Sequence, residues 1–142
     1  MVRFSFDRLS AGDYETLLKA CAPNVEHVFP GEHPLGGTRN TKEGLGRWFE
    51  RLYRLFPGLD FEVQRVLVRG GPWQTVATVE WVDRARPADG SPYENEGMHV
   101  LRFSWGRVVG IRAYLDTQKV GELCERLARE GVEEASAPPI IT

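Results

Sequence analysis

The chain has 142 residues, the length of one domain, and can bury a hydrophobic core without disulfide or metal staples. Hydrophobic residues make up 42% of it, which excludes a disordered chain, and no apolar run is long enough to span a bilayer. A formal net charge of -2 provides no basic field, so we expect neither nucleic-acid nor membrane partners. The first residues lack the pattern of a signal peptide, which predicts a cytoplasmic protein.

The first half of the chain predicts two helices separated by a short strand and an irregular loop. Ser10 is placed to cap the first helix, which Pro23 ends. Residues 25–29 alternate weakly and predict a short strand, and a loop rich in Gly and Pro follows. Thr41 is placed to cap a second helix with a broad apolar stripe, and Pro57 ends it.

The second half of the chain changes to a period of two, which is typical of strands. Strands are predicted from Leu59, with a bulge near residues 64–65, and then over 73–83 and 93–104. A last strand follows Gly106. Apolar residues at helical spacing after Asp116 predict a closing helix.

This order of elements predicts an α+β fold in which a curved antiparallel sheet wraps around helices. A twisted, bulged sheet of this kind makes a cone with an interior pocket at its open end. We expect a single domain over residues 1–132, followed by a C-terminal tail over residues 133–142 that forms an arm or a frayed end.

Asp116 stands where the last strand changes to a helix, and two interpretations are open. Its carboxylate either caps the helix or lies in the cavity and moves protons. On a period of two, Arg112, Tyr114 and Asp116 share one strand face, which we expect to line the cavity. The opposite, apolar face would then point outward and be covered in a homodimer.

Histidines and tryptophans supply further candidates for a site. His33 lies in the Gly- and Pro-rich loop, where an imidazole can be aimed into a cavity mouth. His99 shares a strand face with Asn95, and this polar row is either satisfied within the core or holds a substrate carbonyl. Trp73 and Trp81 share another strand face and are placed to wall a pocket for a flat, apolar ligand.

The sequence carries no motif for a metal or a cofactor. The histidines lack the spacing of zinc sites, and we expect no metal. The glycine-rich signatures of nucleotide sites and the GxSxG of serine hydrolases are absent, so no cofactor is predicted.

Three segments together, "HVFPGEHPLGG", "RWFERLYRLFPGLDFEV" and "DGSPYENEGMHVLRFSWGRVVGIRAYLD", resemble the nuclear transport factor 2-like superfamily. Within it they are most similar to the SnoaL-like polyketide cyclases and the ketosteroid isomerases. The resemblance implies a cone-shaped, cystatin-like α+β barrel with a deep pocket, often as a dimer. It does not by itself settle the function, because the superfamily holds both enzymes and protein-binding modules.

The resemblance also implies roles for particular residues. Asp116 in "YLDTQ" matches the acid/base of the aldol ring closure in SnoaL-like cyclases. His33 stands where ketosteroid isomerases have their aspartate base, and Tyr14 matches loosely their hydrogen-bonding tyrosine. Together with the strand position of His99, this leads us to expect Asp116, His33 and His99 as catalytic residues. The expected pocket residues are Tyr14, Trp48, Trp73, Trp81, Asn95, Arg112 and Tyr114.

These observations favour a cofactor-independent enzyme that performs acid/base chemistry, an aldol-type cyclisation or an isomerisation, on a hydrophobic carbonyl compound. Alternatives are a non-catalytic module of the same fold that binds a small ligand or a protein, and an epoxide hydrolase-like enzyme. Epoxide opening asks for two carboxylates and an arginine together, of which Asp116 and Arg112 supply part. The sequence leaves open whether the protein is an enzyme.

Overall fold

The computed structural model describes residues 2–87 and 89–142, which form a curved sheet with helices packed on one face. The helices are α1 (Val2–Ser10), α2 (Glu15–Ala20), α3 (Lys42–Leu55) and α4 (Thr117–Arg129), with a 3-10 turn at Glu133–Ser136. The strands are β1 (Cys21–Phe29), β2 (Gly37–Arg39), β3 (Asp60–Gly71), β4 (Gln74–Ala85), β5 (Tyr93–Ser104) and β6 (Arg107–Leu115). No helix among the described residues has the length and apolar character needed to cross a bilayer.

The sheet has the strand order β2-β1-β6-β5-β4-β3. Strands β3 to β6 form an antiparallel meander, as the alternating pattern predicts, and the bulge lies between Val63 and Arg65. The α+β class and the curved sheet are thereby confirmed. The sheet is not purely antiparallel, however, because β1 pairs with β6 in parallel.

The N-terminal region differs from the prediction of one helix capped by Ser10. Gly12, with a φ of 80°, follows the end of α1. The side chain of Asp13 then accepts a hydrogen bond from the amide of Thr16 at 3.3 Å, where α2 begins. The hydroxyl of Ser10 caps no helix and instead accepts from the amide of Phe61 at 2.8 Å, which ties α1 to β3.

The facing of β6 is the reverse of the prediction. Ile111 and Ala113 are buried against the helices, whereas Arg112 and Tyr114 are exposed on the outer face of the sheet. The reason is that β6 lies between β1 and β5, where its apolar row supplies part of the core. The homodimer, which was inferred from an apolar outer face, stays a prediction.

The last ten residues are packed against α3 and do not form a free arm. Arg54 donates to the carboxylate of Glu134 at 2.6 Å, and Thr41 donates to the hydroxyl of Thr142 at 2.9 Å. The partly buried side chain of Ile140 joins the core. The tail is therefore packed on the surface of the domain as part of its folded structure.

Two glycines give a matched test of the packing. A Cβ at Gly97 in β5 would press on the carbonyl oxygen of Tyr114 and lie 2.8 Å from the Cβ of Leu115, whereas a Cβ at Gly121 in α4 would meet open space. We expect Gly97→Ala to lower the free energy of unfolding by about 1–3 kcal/mol through overpacking. Gly121→Ala should raise it by about 0.5–1 kcal/mol because alanine is the better helix former. Urea unfolding of both variants checks this, and equal effects would contradict the packing of β5 on β6.

Candidate active site

An interior cavity lies between the sheet and the helices and is walled mainly by aromatic and aliphatic side chains. The space open to the centre of a water molecule is about 50 Å³. Polar side chains interrupt the apolar wall at a few positions, and these carry the chemistry that the cavity can perform. They are Ser5, His27, Asp83, Tyr93 and His99.

Asp83 is a carboxylic acid set in an apolar wall. It lies in the inward row of β4 that also holds Val79 and Trp81, and it is 6% exposed. Its Oδ1 has no hydrogen-bond partner among the described residues. Loss of hydration raises the pKa of Asp83 from 3.8 to about 7, although the amides of Asn95 and Asp83 itself and the charge of Lys119 oppose the rise. Near neutral pH, the acid and its carboxylate are therefore both populated.

Tyr93 stands beside Asp83 as a hydrogen-bond donor. The side-chain amide of Asn95 donates to the Tyr93 hydroxyl at 3.0 Å, so the phenol accepts this bond and keeps its own proton for donation. Burial, with the nearby charge of Asp83 as a further cause, raises the pKa of Tyr93, and the phenol stays neutral. Asn95 faces Asp83 across the β4–β5 ladder and also donates to the backbone carbonyl of Asp116 at 3.0 Å.

His99 lies farther along the same ladder. Trp81 donates its indole N–H to Nδ1 of His99 at 2.7 Å, and because an indole can only donate, the neutral ring carries its proton on Nε2. Loss of hydration lowers the pKa of His99 to about 4, which keeps the ring neutral. His99 is four residues from Asn95, or roughly 13 Å along the strand at about 3.3 Å per residue. The acid and the imidazole therefore serve different ends of the cavity.

Phe6 of α1 fills the space near His99. Its ring centroid lies 5.6 Å from that of His99 and 5.4 Å from that of Phe61. An apolar cavity of about 150 Å³ is known to admit benzene, so the 50 Å³ found here is too small for a ring compound. A cyclic ligand therefore has to displace Phe6 or a neighbouring side chain.

The structure brings some of the predicted site residues to the cavity. Trp48, Trp81 and His99 lie in its wall, and Asn95 is buried behind Tyr93. The remaining predicted residues lie elsewhere. Tyr14 stacks on Phe49 with its hydroxyl near Glu50, Trp73 is 63% exposed beside the β3–β4 turn, and Arg112 and Tyr114 are on the outer face.

Asp116 and His33 lie outside the cavity wall. Asp116 is exposed, and its Oδ1 accepts from the amides of Gln118 and Lys119 at 3.1 and 3.4 Å, which makes it the N-cap of α4. His33 accepts from the amide of Leu35 at 3.2 Å on Nδ1, which leaves its Nε2–H to donate to the carbonyl of Pro30 at 3.0 Å. Both ring nitrogens of His33 are thus engaged by the backbone, and the residue fixes the loop.

Sequence interpretation missed Asp83, Tyr93 and His27 as cavity residues, although a signal was present. In β4, Asp83 lies in an alternate row that is otherwise apolar from Ala77 to Ala85. In β1, the buried alternate row holds Val25, His27 and Phe29. A polar residue at such a position faces the core on a period of two.

Comparison with known proteins gives a family and a fold. The SnoaL-like domain matches residues 2–111. A nuclear transport factor 2-like protein of unknown function from Burkholderia pseudomallei has a similar structure, with a TM-score of 0.76 at 22% identity over 86% of this chain and 92% of that one. No curated protein matches the sequence.

Two further solved structures carry more informative names. One is assigned as a SnoaL-like polyketide cyclase from Jannaschia sp. CCS1, with a TM-score of 0.66 at 18% identity over 84% of this chain and 85% of that one. The other is TerC, co-crystallised with polyporic acid, with a TM-score of 0.70 at 21% identity over 85% and 92%. At these identities the likeness establishes the fold.

The raised pKa of Asp83 predicts a pH-dependent stability. Because the folded pKa of about 7 lies above the ordinary 3.8, the folded state binds more protons than the unfolded state between these values. The contribution of Asp83 to stability thus falls as pH rises through this window and is level above it. We expect the free energy of unfolding of Asp83→Asn, relative to that of the wild type, to rise by roughly 4 kcal/mol between pH 4 and pH 8. Urea unfolding of both proteins across this range measures the difference, and a pH-independent difference would refute it.

Removal of the Phe6 ring should make room for a ligand. We expect Phe6→Ala to lose about 3–5 kcal/mol of stability and to recover about 1 kcal/mol with benzene, seen as a rise of a few °C in Tm. The wild type and Phe4→Ala should show no such rise, because Phe4 is 56% exposed on the same helix. Phe6→Leu is the milder variant should Phe6→Ala not fold. A benzene effect equal in all proteins would contradict the role of Phe6.

Proposed function

Because the chain belongs to the SnoaL-like domain family, we propose that it catalyses cofactor-independent proton transfer on a compact, apolar carbonyl compound. The observation that carries this proposal is Asp83, a buried acid with an unpartnered oxygen and a pKa of about 7 in the cavity wall. Perturbed carboxyl groups in pockets are typical of acid/base sites.

The chemistry requires one group that takes and returns a proton and another that stabilises charge on oxygen. The Asp83 carboxylate removes a proton from the carbon next to the carbonyl, and the resulting acid returns it to the same or another carbon. The Tyr93 hydroxyl, beside Asp83, donates to the carbonyl oxygen as negative charge develops there. No oxidant or cofactor enters the balance of this step.

The wall of the cavity defines the class of substrate. Among the described residues that line it, Asp83 is the only carboxylate and there is no lysine or arginine, so an uncharged molecule fits best. Aromatic walls favour a flat compound. The name of one structural neighbour, a polyketide cyclase, supports a carbonyl compound as the substrate class.

The other hypotheses are less well supported. Epoxide opening needs two carboxylates and an arginine, and the described lining offers one carboxylate. A ligand carrier needs no unpartnered acid, whose burial costs stability.

The substrate enters the cavity by displacement of the Phe6 side chain.

Exchange of the C1 protons of 2-tetralone in D2O, followed by NMR, tests the proposal. Asp83→Asn should lower the rate about 10²- to 10⁴-fold. Because the base acts as carboxylate, the wild-type rate should rise with pH up to about 7 and be level above it. Asp116→Asn should keep the rate, since asparagine caps a helix as well as aspartate.

The two variants also separate the alternatives. If Asp83→Asn keeps the full exchange rate and Asp116→Asn loses it, the catalytic acid/base is Asp116, as the resemblance implies, and not Asp83. Binding of 2-tetralone without exchange by the wild type would identify a ligand-binding protein in place of an enzyme.

A further inference from the structure

Arg39 is an arginine in the core that has no carboxylate partner among the described residues. It is 0% exposed, and its guanidinium donates to backbone carbonyls of Gly36, Gly37 and Ile140 at 2.7–2.9 Å. Its remaining bond runs from Nε to Nδ1 of His27 at 2.9 Å. A buried guanidinium is costly to desolvate, and here backbone carbonyls and one imidazole compensate for it.

The bond from Arg39 decides where His27 carries its proton. A guanidinium has no acceptor atom, so Nδ1 of His27 must be the acceptor and the proton of the neutral ring must sit on Nε2. Burial first, and then the charge of Arg39, lower the pKa of His27 well below its usual value, and the ring stays neutral. His27 lines the cavity, and its Nε2 has no partner among the described residues.

The orientation of the His27 ring is fixed from both sides. Its centroid lies 4.4 Å from that of Trp48 in an edge contact, and Trp48 is itself held by a bond from its indole N–H to the carbonyl of Leu35 at 2.8 Å. The Arg39 guanidinium also lies over the Trp48 ring, 5.6 Å from its centroid. A donor with both tautomer and direction fixed is preorganised for an acceptor in the cavity.

We propose that Arg39 is a positioning residue that holds His27 as an Nε2–H donor for an uncharged oxygen at the end of the cavity remote from Asp83. This assignment rests on the proposed function only for the identity of the bound molecule. The cavity then takes molecules with two oxygens, one beside Asp83 and one at the histidines.

Arg51 is a matched control for Arg39. It too donates to a loop carbonyl and a tail carbonyl, those of Pro34 and Pro138, at 2.9 and 2.8 Å. It makes no bond to a histidine. Loss of Arg51 therefore weakens the same docking of loop and tail without a direct effect on His27.

Long-range ¹H–¹⁵N spectra of the labelled wild type come first. All three histidines should show Nε2–H, because Nδ1 of each accepts from a group that only donates. His33→Gln and His99→Gln assign the signals. Arg39→Met should shift the tautomer of His27 away from Nε2–H while His33 and His99 keep theirs, and Arg51→Met should leave all three tautomers unchanged. An Nδ1–H or charged His27 in the wild type overturns the proposal even if Arg39→Met does not fold, and so does an equal change in both variants.

Turnover gives the second readout. For proton exchange by the wild type, the KM for 6-hydroxy-2-tetralone should be about 3- to 10-fold lower than the KM for 2-tetralone. This is the effect of one added hydrogen bond, from His27 to the 6-hydroxyl oxygen. Arg39→Met should lose this preference at nearly unchanged kcat, and Arg51→Met should keep it. Retention of the preference in Arg39→Met overturns the assignment. If Asp83→Asn still exchanges the protons of both ketones, the proposed function is wrong. The spectra test the role of Arg39 separately, because they report the tautomer of His27 without any substrate.

Discussion

The burial of one ionisable group in an apolar wall is the constraint around which this cavity is organised. Asp83 faces inward because β4 is a long strand in the middle of a meander, and its alternate residues have no other face to occupy. Without a full set of hydrogen bonds, the carboxyl holds its proton to near neutral pH. Stability is given up at the residue that the proposed chemistry needs, a compromise familiar from active sites.

Much of the fold could be predicted because local patterns and the final structure agree. Alternating apolar and polar residues, separated by turn residues, predict the strands of the meander and its bulge. Apolar residues at helical spacing predict α3 and α4. By contrast, α1 is held by tertiary contacts of Phe6 with β3, and the parallel pairing of β1 with β6 joins segments far apart in sequence. Neither leaves a local signal.

The site was predictable only in part, for a related reason. The strand rows bring Trp81 and His99 to the cavity wall. The facing of β6, by contrast, depends on which of its two rows the helices cover, and the polar row of this central strand faces outward. Asp116 stands at the strand end that the resemblance marks, but its carboxylate satisfies the first amides of α4. Tautomers depend on partners 12 and 18 residues away and follow from geometry alone.

The register of β4 on β5 fixes the distance between Asp83 and His99 along the sheet. Four residues of rigid ladder separate the position opposite the acid from the imidazole of His99, and this length cannot adjust to a guest as a loop would. Under the proposed function, this fixed spacing selects substrates by molecular length: a substrate that is too short contacts only one end, and one that is too long does not fit. Inserting or deleting two residues in both strands would change the selected length by roughly 7 Å while every side chain kept its face.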